Sequence, residues 1–238
     1  INVEATRTLV NCMTDPELDH LVRDMVFCSS CSVYGNVKGI HEEVTESTPP
    51  SPLSRYADGK LRGENIILDR ADEVPHFHPT IVRLTTIFGW SHRPRLDLVT
   101  NLFAHQALSK GAITIFGDGS QYRSLIHVKD VARALVDVIE APRYLRQKRI
   151  FHVGEETNNK TVREIAELIQ AYVPTMEINF AAGEDTDRRD YRINCQLIKN
   201  VLGWQAEFSV EDGIRDMIEN LKKTDLDWSS DNLRNDRF

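Results

Sequence analysis

No apolar run in this 238-residue sequence approaches the roughly 18 residues of a membrane-spanning helix. No basic start followed by an apolar stretch marks a signal peptide. Together these absences lead us to expect a cytoplasmic protein without a membrane partner. Positive charge is not in excess: 29 Lys and Arg face 36 Asp and Glu, for a net charge of −7. That balance argues against general nucleic-acid binding, and an anionic ligand would need a local arginine cluster. Cysteine is scarce, at four residues. Cys28 and Cys31 form one C-x-x-C in "FCSSCSVYG", with no second such pair and no H-x-x-x-H to complete a zinc site. A thioredoxin-type pair opens a helix, where the dipole acidifies a thiol, whereas this one sits at the end of an apolar strand. Cys12 and Cys195 are isolated. The thiols are therefore expected to be small packing residues, and no metal site is expected. What is present is ample core material: 41% hydrophobic and 27% charged residues, the balance of a globular domain.

Apolar periodicity alternates between strand and helix. "INVEATRTLV" predicts a helix over about 2–13, and "MVFCSS" a strand over 25–30. The Pro- and Ser-rich loop "ESTPPSPLS" leads into a helix from about Arg55 to Asp72. "TIVRLTTIFG" reads as one β-branched strand ending at Gly89. A helix is expected over Asp97–Ser109, then two short strands around a Gly-Asp-Gly turn in "AITIFGDGSQYRSLIHV". "VKDVARALVDVIEA" is helical and "RIFHVG" a strand. "TVREIAELIQAY" opens with Thr161 and Glu164 in capping-box spacing. "MEINF" reads as a strand and "SVEDGIRDMIENL" as a final amphipathic helix, with a polar tail from Lys223. Strands alternating with long helices imply an α/β fold built on a doubly wound parallel sheet.

"YADGK" places Tyr56 and Lys60 four apart, on one helical face. A free phenol is mostly protonated at neutral pH, and an ammonium nearby stabilises the phenolate. A tyrosine so placed can take a proton from an alcohol or sugar hydroxyl. A serine at a neighbouring strand end can hydrogen-bond the same oxygen. Taken alone, the same spacing is more often that of a solvated surface pair.

The combination is more specific than either part. A strand, S-S-x-S-V-Y-G, a Pro-rich stretch, then Y-x-x-x-K opening a helix resembles the extended short-chain dehydrogenase/reductase family, in particular its NAD-dependent nucleotide-sugar epimerases and dehydratases. "IVRLTTIFG", "ITIFGDGSQYRSLIHVKDVARAL" and "DYRINCQLIKNVLGWQAEFSVEDGIRDMI" are similar to further family segments, so the resemblance spans about residues 1–222. It implies a Rossmann-like sheet with a smaller C-terminal substrate lobe. Residues 1–95 would be the remaining part of the dinucleotide-binding domain. Residues 96–222 would be mainly the substrate lobe, with about 123–153 returning to the sheet, and 223–238 the tail. By the same resemblance Ser30, Tyr56 and Lys60 would be catalytic, with Tyr56 the general base and acid. Ser29 and Leu84, with Tyr56 and Lys60, would line NAD or NADP; Ser29 also reads as a strand-end serine bonding backbone. Asn101, Phe116, Arg123 and Arg189 would contact a nucleotide-diphosphate sugar, with Arg188 an alternative to Arg189 and Phe116 equally a core residue. Arg123 offers a planar fork suited to phosphate oxygens. His127 and Asp130 are expected to organise the junction between sheet and lobe. A homodimer through the catalytic helix and the one before it is also implied.

Two departures shape the expectation. The family's 4,6-dehydratases carry Thr-Asp-Glu where this chain has Ser30, Cys31 and Ser32. Without those carboxyls, dehydration is not expected; oxidation and re-reduction at a sugar C4, as in an epimerase or a reductase, is. The Gly-rich fingerprint G-x-x-G-x-x-G and its acidic partner are also missing. "INVEATRTLV" resembles the helix before the family's fifth strand, so about four strands with their helices are expected upstream in full-length relatives. The alternative is a non-catalytic remnant that lacks the cofactor half.

Overall fold

Seven residues, His78–Leu84, form a strand in which every position after the first is buried. Such an unbroken buried run marks a parallel strand covered on both faces. The computed structural model describes residues 2–18, 22–35, 43–182 and 191–224. Along the chain run α1 (Asn2–Met13), β1 (Asp24–Ser30), a 3₁₀ turn (Cys31–Tyr34), α2 (Arg55–Glu73), β2 (His78–Leu84) and β3 (Thr86–Phe88). Then follow α3 (Val99–Lys110), β4 (Ala112–Phe116), β5 (Tyr122–His127), α4 (Val128–Glu140), α5 (Arg143–Arg146) and β6 (Ile150–Val153). The remaining elements are β7 (Asn159–Thr161), α6 (Val162–Tyr172), β8 (Glu177–Ala181), α7 (Gln196–Leu202) and α8 (Val210–Lys223).

Among the described residues, β1, β2 and β6 form a wholly parallel sheet in the order β1-β2-β6. The side chains of β1 alternate between two layers, as a strand requires. Met25 and Phe27 pack with Val10, Ile67 and Phe77 beneath α1 and α2. Val26 and Cys28 pack with Val131, Ala134 and Val138 of α4. Helices thus cover both faces, the doubly wound α/β arrangement expected from the alternation of elements.

A second cluster, built on Phe103, Ile113, Ile115, Leu125, Ile165, Ile169, Ile214 and Met217, unites α3, β4, β5, α6 and α8. Asp130 joins the two layers. Wholly buried near the start of α4, it accepts Glu207 N at 2.9 Å, Phe208 N at 3.0 Å and Arg133 Nη2 at 2.8 Å. His127, the N-cap of α4, stacks on Phe208 with centroids 4.6 Å apart. Both residues sit at the expected junction.

Two segments pair differently from their local pattern. "TIVRLTTIFG" is two strands: β2 stays with β1 and β6, while β3 leaves at Thr85 to pair with β5. The strands flanking Gly-Asp-Gly do not pair with each other; β4 pairs with β8, and β5 with β3 and β7. The final helix runs through Lys223, and positions 225–238 lie outside the described residues.

Candidate active site

The tips of β1 and β2 open into a cleft of about 1160 Å³, walled among others by Ser29, Ser30, Ser32, Tyr56, Leu84 and Asn101. A crevice at the carboxyl ends of parallel strands is the usual ligand position in such folds. Ser30 ends β1 and caps the following 3₁₀ turn; its Oγ accepts Ser32 N at 3.2 Å and Ser32 Oγ at 2.9 Å. The turn closes at Gly35, whose φ of 67° and whose missing side chain are both required, since a Cβ would lie 2.1 Å from Ser51 O. That close approach holds the Pro-rich loop over the turn, with Ser51 N donating to Val33 O at 2.9 Å.

Helix α2 is capped by Ser54, whose Oγ accepts Ala57 N at 3.1 Å. Tyr56, Lys60 and Glu64 share a face at four-residue spacing, and that face descends into the protein. Tyr56 is 51% exposed at the cleft, Lys60 is half-buried, and Glu64 is 1% exposed. Lys60 Nζ donates to the Cys28 carbonyl at 2.8 Å and stands 5.8 Å from the Tyr56 ring centroid. Burial draws the Lys60 ammonium below its ordinary pKa. Ser30 and Tyr56 thus wall one cleft, with Lys60 locked one turn below the phenol.

The other expected residues are placed as follows. Leu84 and Asn101 wall the cleft, and Asn101 Oδ1 accepts Gly89 N at 3.1 Å. Ser29 also borders it, but its hydroxyl turns into the protein and donates to Glu64 Oε1. Arg123 is buried on β5, where Nη1 donates to the Tyr122 carbonyl at 2.9 Å, and Phe116 is 51% exposed on β4. Neither is among the described residues that wall the cleft. Arg188 and Arg189 lie outside the described residues. The cysteines are free thiols: Cys31 and Cys195 are buried and Cys31 Sγ donates to Arg83 O at 3.3 Å. Burial raises the pKa of Cys28, Cys31 and Cys195. Among the described residues no cluster of His, Cys, Asp or Glu could hold a metal ion.

Sequence reading gave no role to Arg55, Arg93, Arg95 and Tyr191, which also wall the cleft. It missed the buried chain beneath it as well. Arg83 grips Glu64 with Nη2 at 2.6 Å from Oε2, and its Nη1 donates to Tyr34 Oη at 2.6 Å. The available signal was a lone charge inside the apolar run "TIVRL", which demands a buried partner. His152 continues the chain. Its Nδ1 lies 2.8 Å from the Asn194 carbonyl, which only accepts, so Nδ1 carries the proton and Nε2 accepts Tyr34 Oη at 2.6 Å.

Burial lowers the His152 pKa from 6.5 to about 4, so His152 is neutral at physiological pH. As pH falls the unfolded chain binds the proton first. The stability is therefore complete above pH 6.5 and lost progressively toward pH 4, a loss of about 3 kcal/mol. Burial shifts His78, His105 and His127 in the same direction. Glu46, raised by burial, opposes the trend, and Asp24, held near 2 by Arg143 and Arg146, acts only at lower pH. The urea midpoint should fall between pH 7 and 4.5; a constant midpoint would contradict a neutral, buried His152.

The model of the NAD dependent epimerase/dehydratase family matches residues 1–154. A UDP-glucose epimerase of Bacillus subtilis, itself uncharacterized, is 27% identical over 92% of this chain and 66% of its own length. The UDP-glucuronate 4-epimerase of Thermodesulfobacterium geofontis is 26% identical over 98% of this chain and 66% of its own length. The chain therefore spans just under two thirds of both relatives. In fold it is similar to the dTDP-glucose 4,6-dehydratase of Bacillus anthracis solved with NAD, with a TM-score of 0.80, 24% identity, and coverage of 96% of this chain and 70% of that one. A parallel sheet with a serine at a strand tip and a helix-borne tyrosine on the same cleft, and a family model that covers most of the chain, lead to one assignment: this chain belongs to the NAD dependent epimerase/dehydratase family, a family of NAD-dependent enzymes.

Proposed function

We propose that this cleft carries hydride chemistry at the C4 hydroxyl of a nucleotide-diphosphate sugar, as a 4-epimerase or a keto-sugar reductase. The observation that carries the reading is the meeting of Ser30 and Tyr56 on one cleft, with Lys60 fixed beneath the phenol. Tyr56 takes the proton of the sugar hydroxyl as the carbonyl forms and returns it when the hydroxyl is restored. Ser30 donates to the same oxygen and keeps it in line with the phenol. Lys60 holds positive charge behind both. In an epimerase the 4-keto sugar turns over before the second transfer; in a reductase the step runs one way.

The residues present fit the reactive end of NAD. Leu84 offers an apolar wall, and Lys60, whose ammonium donates to the Cys28 carbonyl beneath Tyr56, would hold the ribose hydroxyls. NAD supplies hydride acceptance and return at the sugar carbon. No Gly-rich turn to cradle its pyrophosphate occurs in this sequence. Dehydration is disfavoured because Cys31 and Ser32 stand where a dehydratase needs carboxyls: the Cys31 thiol is buried against Arg83 O, and Ser32 donates to Ser30. The family and its relatives are enzymes, which favours catalysis over a non-catalytic remnant.

We place the protein in the cytoplasm. A homodimer through α1 and α2 is part of the same proposal. For the diphosphate, Arg123 and Arg189 remain the proposed contacts. Incubation with UDP-, GDP-, CDP- and dTDP-sugars and NAD should yield one 4-epimer, or incubation with their 4-keto forms and NADH or NADPH should yield a C4-reduced sugar, with products resolved by NMR. A dehydrated sugar, or no conversion across the panel, would contradict the proposal.

A further inference from the structure

Lys60 and Glu64 stand one turn apart on α2 and grip consecutive residues of β1. Lys60 Nζ donates to the Cys28 carbonyl at 2.8 Å. The next residue, Ser29, donates its hydroxyl to Glu64 Oε1. The same carboxylate takes Arg83 in a fork, with Nε 3.0 Å from Oε1 and Nη2 2.6 Å from Oε2. Arg83 is the register partner of Ser29 on the adjacent strand. One carboxylate therefore ties the tips of β1 and β2 to the helix that bears Tyr56. The helix lies directly on β1 at this level, for a Cβ on Gly63 would come within 2.8 Å of the Phe27 ring. Apolar contact alone is non-directional and would let the helix turn or slide. A forked ion pair has a fixed plane and direction, and with Glu64 at 1% and Arg83 at 3% exposure little water competes for it.

We propose that Glu64 is a positioning residue, setting the height and rotation of α2 so that Lys60 meets Cys28 O and Tyr56 faces Ser30. Its effect on turnover rests on the function proposed above; its effect on Lys60 does not. Arg83 carries the same hold onward through Tyr34 and His152 to the Asn194 carbonyl, three residues beyond Tyr191 on the cleft wall.

The test uses Glu64→Gln, which removes the charge, and Glu64→Asp, which keeps it but shortens the reach by one methylene. Lysines are labelled as ¹³C-dimethylamines, Lys60 is assigned by its loss in Lys60→Arg, and its titration is followed by NMR. In the wild type Lys60 should titrate below the other lysines. In Glu64→Asp, which keeps the charge, it should move up toward the ordinary value of about 10.4. Turnover should drop by roughly 10- to 100-fold with KM little changed. If Glu64→Gln does not fold, Glu64→Asp decides. A Lys60 titration in Glu64→Asp identical to that of the wild type overturns the proposal. Absence of turnover in the wild type would count against the proposed function, while the Lys60 titration would still judge Glu64.

Discussion

Tyr56→Phe should lower turnover by about 10²- to 10⁴-fold, the span that a positioned general acid–base contributes. Binding of the nucleotide sugar should weaken by less than about tenfold, the worth of one neutral hydrogen bond. The two effects separate because of where the residue stands. Tyr56 is half exposed near the start of α2, and the buried face of that helix is made by Ala57, Gly63, Glu64 and Ile67. Loss of one hydroxyl at the cleft removes a proton carrier without disturbing this face. Turnover and calorimetric binding, measured on the same sample, check it. Loss of binding together with turnover, or a lowered melting temperature, would make Tyr56 a structural residue instead.

Arg83→Met should cost about 3–5 kcal/mol, the penalty for stranding one member of a buried ion pair. The Glu64 carboxylate would keep only the Ser29 hydroxyl, and Tyr34 Oη would lose its charged donor. With side-chain exposures of 4% for Arg83 and 1% for Glu64, solvent cannot replace the lost partner. A domain is typically stable by about 5–15 kcal/mol, so the variant should be at the edge of folding. Adding Glu64→Gln removes the stranded charge and should recover a large part of the loss, since apolar or neutral replacements of whole buried pairs are often near neutral. Urea denaturation of the two variants checks this. A single variant within about 1 kcal/mol of wild type would show that the pair is already hydrated and weak.

Local features were legible in the sequence because local physics fixes them. The Tyr56–Lys60 spacing needs only a helix, and the helix expected from about Arg55 after the Pro-rich loop forms there. The capping box at Thr161 and Glu164 was equally visible and forms as read. What failed to show was pairing at a distance. A β-branched run such as "TIVRLTTIFG" has no signal for a change of sheet at Thr85, because both halves satisfy the same propensity. The two strands expected around the Gly-Asp-Gly turn form, but their pairing was not legible: β4 finds its partner in β8, more than sixty positions on. The cysteine pair drew attention by spacing, whereas burial and the Arg83 carbonyl decide its state. Glu64 and Arg83 are ordinary residues in the sequence and meet only once α2 lies across β1 and β2.

The most direct test is a crystal structure of the protein with NAD and a nucleotide sugar from the panel that proves to be converted. We expect the C4 hydroxyl oxygen within hydrogen-bond reach, about 3 Å, of both Tyr56 Oη and Ser30 Oγ. A sugar seated outside this cleft, or with C4 beyond the reach of both groups, would contradict the account.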